Sequence, residues 1–386
     1  MFCFRGKRIT CVAILFTFIL FSLLGTNRVS ALSAEEISAP SAILMEASTG
    51  KVLFEKNPHD VRACASITKV MTLILVFEAI EDGKITFDQM VTASAHAASM
   101  GGSDIWLEEG ESMTVHEMIK AVVVASANDA AVALAELVSG TEDEFVANMN
   151  KRATELGMNN TTFKNCNGLD EEGHLTTAYD VALMSSELIR HEKIFEYSSI
   201  WLDYLRNGET QIVNTNKLLK SYSGITGLKT GTTSQAGSCM SATAQREGLS
   251  LVAVVLGCAS GTERFLDAAK LLDYGFANYK VESLALPEDF PESIKVIKGM
   301  ESSAELYCAV NPTLLLPKGN TQGLVAKFTI EEELQAPVLK GEVVGKLTYS
   351  YSGEVVDEYD IVTKNAVEPI TFGSLWRLLW RNLISL

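Results

Sequence analysis

Most features by which a chain grips metals, nucleic acids or a bilayer through composition alone are missing here. The histidines are His59, His96, His116, His174 and His191. They contain no H-E-x-x-H and no other close ligand pair, which excludes the usual zinc-peptidase pattern. They read as surface or local hydrogen-bonding groups. Cations are scarce: 32 Lys and Arg stand against 48 Asp and Glu, a formal charge of −16. No basic patch interrupts this excess, so nucleic acid is not an expected partner. No disulfide framework is present either. Cys3 and Cys11 fall in the first segment, and Cys64, Cys166, Cys239, Cys258 and Cys308 are odd in number and scattered. No pair has metal-site spacing, so they read mostly as small buried groups. Cys64, two residues from Ser66, is expected near any cleft there. Finally, neither Ser66 nor Ser126 sits in G-x-S-x-G, which argues against a Ser-His-Asp hydrolase.

What is present begins with a leader. Arg5, Lys7 and Arg8 precede the uncharged run from Cys11 to Leu24, and Val29 and Ala31 stand where a small-residue cleavage site belongs. The run is shorter than a comfortable membrane span, and the layout is that of a secretory signal over residues 1–31. Its removal takes away four cations and no acid, leaving −20. The remaining length fits two domains, and an apolar fraction of 47% supplies their cores.

Periodicity then sketches the fold. "SAILMEASTGKVLFEKN" alternates as a hairpin about "STG". "ASITKVMTLILVFEAIEDGK" reads as a buried helix ending near Gly83. Helical periodicity continues through "TVHEMIKAVVVASANDAAVALAELVSG", broken near "SAND". It continues in "DEFVANMNKRATELGM", anchored by Phe145, Met149 and Leu156, and in "TTAYDVALMSSELIRH", capped by Thr176 or Thr177. Two strands joined at "REG" follow, then a closing helix with Phe265, Leu272 and Phe276 inward. This is an α/β domain with a helical insert over 35–280. Short β runs over 285–367 suggest a small all-β sandwich. Residues 370–386 place Trp376, Leu379, Trp380 and Leu383 on one helical face beside Arg377 and Arg381, as in a helix lying on a membrane surface. The alternative is a terminal helix docked on the second domain.

Three short stretches can carry chemistry. Ser66 and Lys69, in "SITK", lie three apart at a helix start, so a partly neutral Lys69 can take the Ser66 proton. Ser126 and Asn128, in "SAN", pair a proton relay with an amide gripper. "GITGLKTGTTSQAG" holds Lys229 and Thr230 in a glycine- and hydroxyl-rich stretch leading into a strand, where an edge can accept an extended peptide.

In this order and wide spacing the three match the signatures of penicillin-binding proteins and class A β-lactamases. The chain resembles the low-molecular-mass penicillin-binding proteins that are serine-type D-alanyl-D-alanine carboxypeptidases. The likeness also runs through "FKNCNGL", "HLTTAYDVALM" and "TNKLL". It implies a β-lactamase/transpeptidase-like fold and no cofactor. It implies Ser66 as the acylated nucleophile, Lys69 as its base, Ser126 in the proton path and Asn128 on the substrate. Lys229 and Thr230 would bind the terminal carboxylate, and the N–H groups of Ser66 and Thr232 would form the oxyanion hole. The implied ligands are peptidoglycan stem peptides ending in D-Ala-D-Ala, with β-lactams as covalent inhibitors. Two departures stand out: Ala127, where many relatives have glycine, and Thr232, where some have histidine. They bear on fine specificity rather than on the reaction. No counterpart of the deacylating glutamate of class A β-lactamases is found, which favours a peptidase.

Overall fold

The computed structural model describes residues 32–376, apart from 285, 309–312, 319–323 and 352. The leader and residues 377–386, with Leu379, Trp380 and Leu383, lie outside the described residues. The described chain divides into two compact units that meet between Asn278 and Tyr279.

The first unit is organised by an antiparallel five-stranded sheet. Its strands are β1 (Ser41–Glu46), β2 (Val52–Lys56), β3 (Ile225–Thr233), β4 (Gly237–Arg246) and β5 (Leu249–Cys258), in the order β2-β1-β5-β4-β3. The expected hairpin is β1–β2. At its turn the Glu46 carboxylate accepts from the backbone N–H of Ser48 (3.1 Å) and Thr49 (2.8 Å). At "REG", Glu247 (φ 49°) and Gly248 (φ 80°) both take the left-handed conformation that a tight hairpin between right-twisted strands requires. The sheet therefore leaves β3, with Lys229 and Thr230, on its edge.

The helical insert lies between β2 and β3. At its centre is α1 (Lys69–Glu81), buried from Lys69 through Ile74 and again at Val76, Phe77 and Ala79, with Leu75 and Glu78 only partly covered. Its surroundings are α2 (Asn128–Ser139), α3 (Glu142–Glu155) and α4 (Ala178–Leu188). So many apolar positions all round imply enclosure by other helices. Phe145 and Met149 face inward on α3 as expected, and Thr177 is the cap of α4, its Oγ1 accepting from Asp180 N at 3.1 Å. α4 covers one side of the sheet; α5 (Gly261–Asn278) lies along β5 and β4 with Leu272 and Phe276 buried. Phe265 departs from the expected inward face: it is half-buried, and the Arg264 guanidinium lies 4.9 Å from its ring centre.

From Tyr279 to Thr363 the described residues of the second unit form β-strands and their connections. A six-stranded sheet is built on Val343–Tyr351 paired with Leu324–Ile330 and Glu354–Thr363, while Tyr279–Ser283 pairs with Thr313–Pro317. Leu347, Tyr349 and Ile361 are buried in its core.

One long-range tie shapes the region around the insert. Asp129, in the first turn of α2, is buried, and its carboxylate accepts from the backbone N–H of Ile105 (3.0 Å), Leu107 (3.0 Å) and Ala130 (2.8 Å). Asp129→Ala would strand these donors. It is expected to lower stability by about 3 kcal/mol in urea unfolding, since each buried N–H left unpaired costs about 1–3 kcal/mol.

Candidate active site

Ser66 is carried not by the α-helix itself but by a 3₁₀ turn, Ala65–Thr68, that leads into α1. Ala65 holds φ 51°, a conformation costly for a residue with a Cβ. Strain of this kind concentrates where surrounding structure imposes it. Two glycines show what imposes it here. A Cβ on Gly168 would lie 2.0 Å from Ala65 O, and one on Gly231 would lie 2.6 Å from Cys64 O and 3.0 Å from Ser66 N. The turn is thus clasped between the 163–169 segment and edge strand β3, and both backbones approach as closely as glycine allows.

Lys69 lies below Ser66 and is fully buried. Its Nζ is 3.0 Å from Ser66 Oγ, 2.6 Å from Asn128 Oδ1 and 2.5 Å from the carbonyl of Asn167. Among the described residues no carboxylate pairs with it. Burial disfavours the charged form, and Lys69 is pulled down to about 7, only partly offset by Cys166, Asp129 and Cys64.

Ser126 follows a π-helical stretch, Ala121–Ala125, and is itself left-handed at φ 62°. The "SAND" break is thus a wide turn followed by a reversed residue, a combination frequent at functional sites. Ser126 Oγ accepts from Lys229 Nζ at 2.7 Å, and Thr230 O accepts from the same amine at 2.9 Å. Lys229 is 2% exposed and held well below its ordinary value by burial first, then by the charges of Lys69 and Arg264. Asn128 ties Lys69 to the backbone at Gly101: its Oδ1 faces Lys69 and its Nδ2 donates to Gly101 O at 2.6 Å. Thr230 Oγ1 donates to Thr215 Oγ1 at 2.6 Å.

Hydrogen bonds therefore join Ser66, Lys69 and Asn128 in one group and Ser126, Lys229 and Thr230 in another, while Thr232 is held by Gly231 O and Arg264, although these residues are far apart in sequence. Three participants escaped motif reading. The Asn167 carbonyl on Lys69 belongs to the main chain, which any residue type supplies. Thr215 lies in "TNKLL". Arg264, on α5, donates from Nη1 to Gly231 O (3.0 Å) and Thr232 Oγ1 (2.8 Å), bracing the end of β3. Only the glycine beside Asn167 hinted at a close approach.

A serine beside a buried lysine drawn down to about 7, walled by a second serine and an edge strand carrying a lysine, on this sheet and insert, defines a serine hydrolase of transpeptidase-like fold. The D-alanyl-D-alanine carboxypeptidase family profile matches residues 28–260, and that of the penicillin-binding protein 5 C-terminal domain matches 282–369. D-alanyl-D-alanine carboxypeptidase DacF of Bacillus subtilis is 43% identical over 338 residues, spanning 86% of this chain and 87% of that one. The crystal structure of penicillin-binding protein 5 from Haemophilus influenzae has a TM-score of 0.74 at 30% identity, covering 88% of this chain and all of that one. Penicillin-binding protein D2 from Listeria monocytogenes, solved in its ampicillin-bound form, has a TM-score of 0.58 at 33% identity, covering 62% and 98%. The chain belongs to the D-alanyl-D-alanine carboxypeptidase family. It is a serine-type enzyme that removes the terminal D-alanine from peptidoglycan stems and binds penicillin.

Gly168→Ala tests the clasp. Its Cβ would push Ala65 and Ser66 while the residue keeps φ 85°. Penicillin acylation is expected to fall about 100-fold, the scale of a misplacement of about 1 Å. Gly110→Ala is the control, with a similar φ of 83° but open space around its Cβ; its acylation rate should be unchanged. Labelling time courses with a fluorescent penicillin measure both.

Proposed function

We propose that Ser66 is the nucleophile and Lys69 the base that activates it. The observation that carries this is the Lys69 Nζ lying 3.0 Å from Ser66 Oγ, with its two shortest contacts going to oxygens that can only accept. A neutral amine has two N–H groups and one lone pair. Asn128 Oδ1 and Asn167 O take the two N–H groups, which turns the lone pair toward the Ser66 hydroxyl. In the charged form the third N–H would point at Ser66 instead, blocking proton transfer.

Acylation then proceeds as follows. Ser66 Oγ attacks the carbonyl carbon of the penultimate D-alanine while its proton passes to Lys69 Nζ. The developing oxyanion is met by the backbone N–H groups of Ser66 and Thr232. As the C–N bond breaks, Lys69 gives up that proton, which reaches the leaving D-alanine amine by way of Ser126 Oγ, and Lys69 returns to its neutral form; Ser126 Oγ is held in place by Lys229 Nζ. Water cleaves the ester and Ser66 Oγ leaves with a proton. Asn128 holds the substrate amide. Lys229 and Thr230 receive the terminal carboxylate, and the arriving negative charge raises Lys229 back toward its charged form. A β-lactam carries both the reactive carbonyl and the carboxylate, so it enters the same reaction and leaves an acyl group on Ser66.

We further propose export across the cytoplasmic membrane and residence on its outer face. The leader layout supports the first step. At the other end of the chain, residues 372–376 are helical and Phe372, Leu375 and Trp376 are exposed. The Phe372 and Trp376 rings stack at 6.4 Å, offering an apolar face to a lipid surface. Among the described residues no helix is long and apolar enough to cross a membrane. A surface helix needs no such length, and Arg377 and Arg381 offset repulsion between an acidic body and anionic lipid.

Intact-mass analysis after penicillin exposure is expected to show one adduct on the wild type and none on Ser66→Ala; a full adduct on the variant moves the nucleophile elsewhere. Because Lys69 sits below a free lysine, its proton occupancy rises as pH falls through about 7. Acylation should therefore drop about tenfold per pH unit below that point. A rate flat from pH 8 to 5 would rule out Lys69 as the base.

Deleting the residues after Ile370 should abolish flotation with anionic liposomes while leaving turnover of a soluble D-Ala-D-Ala peptide within about twofold, as a lost surface anchor implies. Continued flotation of the mature truncated protein would refute attachment through this helix.

A further inference from the structure

Thr68 occupies the residue before Lys69, where a threonine is positioned to cap the helix. Its side chain makes no such bond. It is fully buried, and its Oγ1 lies 2.7 Å from His174 Nε2 and 3.5 Å from Cys64 Sγ. His174 comes from the far side of the insert, 106 residues on, and its Nδ1 accepts from the backbone N–H of Lys164 at 3.1 Å. Cys64 Sγ lies in turn 3.7 Å from Ala65 O.

The direction of every bond follows from its first member. A backbone N–H only donates, so His174 Nδ1 is the acceptor and the ring hydrogen sits on Nε2. Nε2–H donates to Thr68 Oγ1, which leaves the Thr68 hydroxyl hydrogen for Cys64 Sγ. The Cys64 thiol keeps its proton, since burial pushes it up to about 12, and S–H points at Ala65 O. The chain thus runs one way, from Lys164 to the strained carbonyl beside Ser66.

We propose that His174 is a positioning residue for acylation: as the neutral Nε2–H tautomer it orders this hydrogen-bond chain and so fixes the turn that presents Ser66. This rests on Ser66 being the nucleophile. Charging the ring would aim an Nδ1–H at the Lys164 N–H, two donors face to face. Burial opposes that charging and draws the histidine down to about 4, against the pull of Glu171 and Asp170 and with help from Lys164. Those three and the edge of the Phe163 ring, 5.8 Å away, face the imidazole together with Thr68. Over the working pH range the chain therefore keeps its polarity, and the pH response is left to Lys69.

The test compares wild type, His174→Phe, His174→Gln, Thr68→Val and the His174→Phe/Thr68→Val double variant by the rate and concentration dependence of fluorescent-penicillin acylation. Peptide mapping of the wild-type adduct comes first; an adduct away from Ser66 refutes the functional reading itself. With the adduct on Ser66, His174→Phe should slow the acylation step about tenfold with little change in the preceding binding constant, as loosened orientation predicts. Glutamine, which can accept from Lys164 and donate to Thr68, should recover most of the rate. The double variant should be no slower than the slower single, because both break one chain. In spectra of ¹⁵N-histidine-labelled protein His174 should carry its hydrogen on Nε2 and remain neutral down to about pH 4. A folded His174→Phe acylating at the wild-type rate, losses that multiply in the double variant, or an Nδ1–H tautomer would each overturn the proposal.

Discussion

The burial of Lys69 with no carboxylate partner among the described residues is the constraint on which the site depends. A charged ammonium so placed is expensive, and the group yields its proton more readily than the fold yields its packing. Asp129 is near enough to be felt, yet its oxygens are occupied by the backbone of Ile105, Leu107 and Ala130. The carboxylate that would otherwise favour the charged lysine is thereby spent on structure. What remains around Nζ is a serine hydroxyl and two oxygens, one from a side-chain amide and one from the main chain. Such a cage supports either protonation state, and on the proposed reading, in which Lys69 collects and returns one proton per acylation, the reaction needs that ambivalence.

Lys229 extends the same logic to the other wall. It is as buried as Lys69, shares no carboxylate among the described residues, and feels both Lys69 and Arg264. On the proposed reading the site pairs Lys229 and the nearby Arg264 with an anion of the substrate. The anion completing it must be small enough to reach β3 and must arrive with an acylable carbonyl over Ser66. A peptide ending in a free carboxylate meets both demands, and so does a bicyclic β-lactam acid. On the proposed reading, recognition of the chain terminus and restoration of the Lys229 charge are a single event.

Local pattern made much of this legible. Alternation about "STG", the long apolar run after "SITK" and the paired strands about "REG" each map to an element whose period and turn chemistry agree. The three motifs were legible as well, because each needs particular side chains at short spacing. Other features were not. That Ser66 rides a 3₁₀ turn depends on Gly168 and Gly231 pressing from outside. That the "SAN" serine is left-handed depends on a π-helical stretch formed by an Ala-Val-Val-Val-Ala run. The Asn167 carbonyl is anonymous in sequence, being main chain. His174 looked like any polar histidine, since its partner Thr68 lies 106 residues away. Periodicity misplaced Phe265 because an aromatic ring can also serve as a half-exposed platform for an arginine.

On the proposed reading the enzyme is exported with free cysteines, a question sharpest at Cys64, which stands two residues from the proposed nucleophile and bears an intrinsically better one. Thiol reactivity belongs to the thiolate. Burial pushes Cys64 and Cys258 up to about 12 and Cys239 to about 11, and raises Cys166 well above its usual value. None of the four has an appreciable thiolate fraction, so they survive unpaired. Ser66 is the reverse case. An alkoxide is far harder to form than a thiolate, yet Ser66 is half-exposed and, on the proposed reading, the Lys69 amine 3.0 Å away takes its proton during attack. Reactivity in this turn is therefore assigned by access and by a proton acceptor, not by intrinsic acidity. The stronger nucleophile is sealed inside and reduced to a link between Thr68 and Ala65 O.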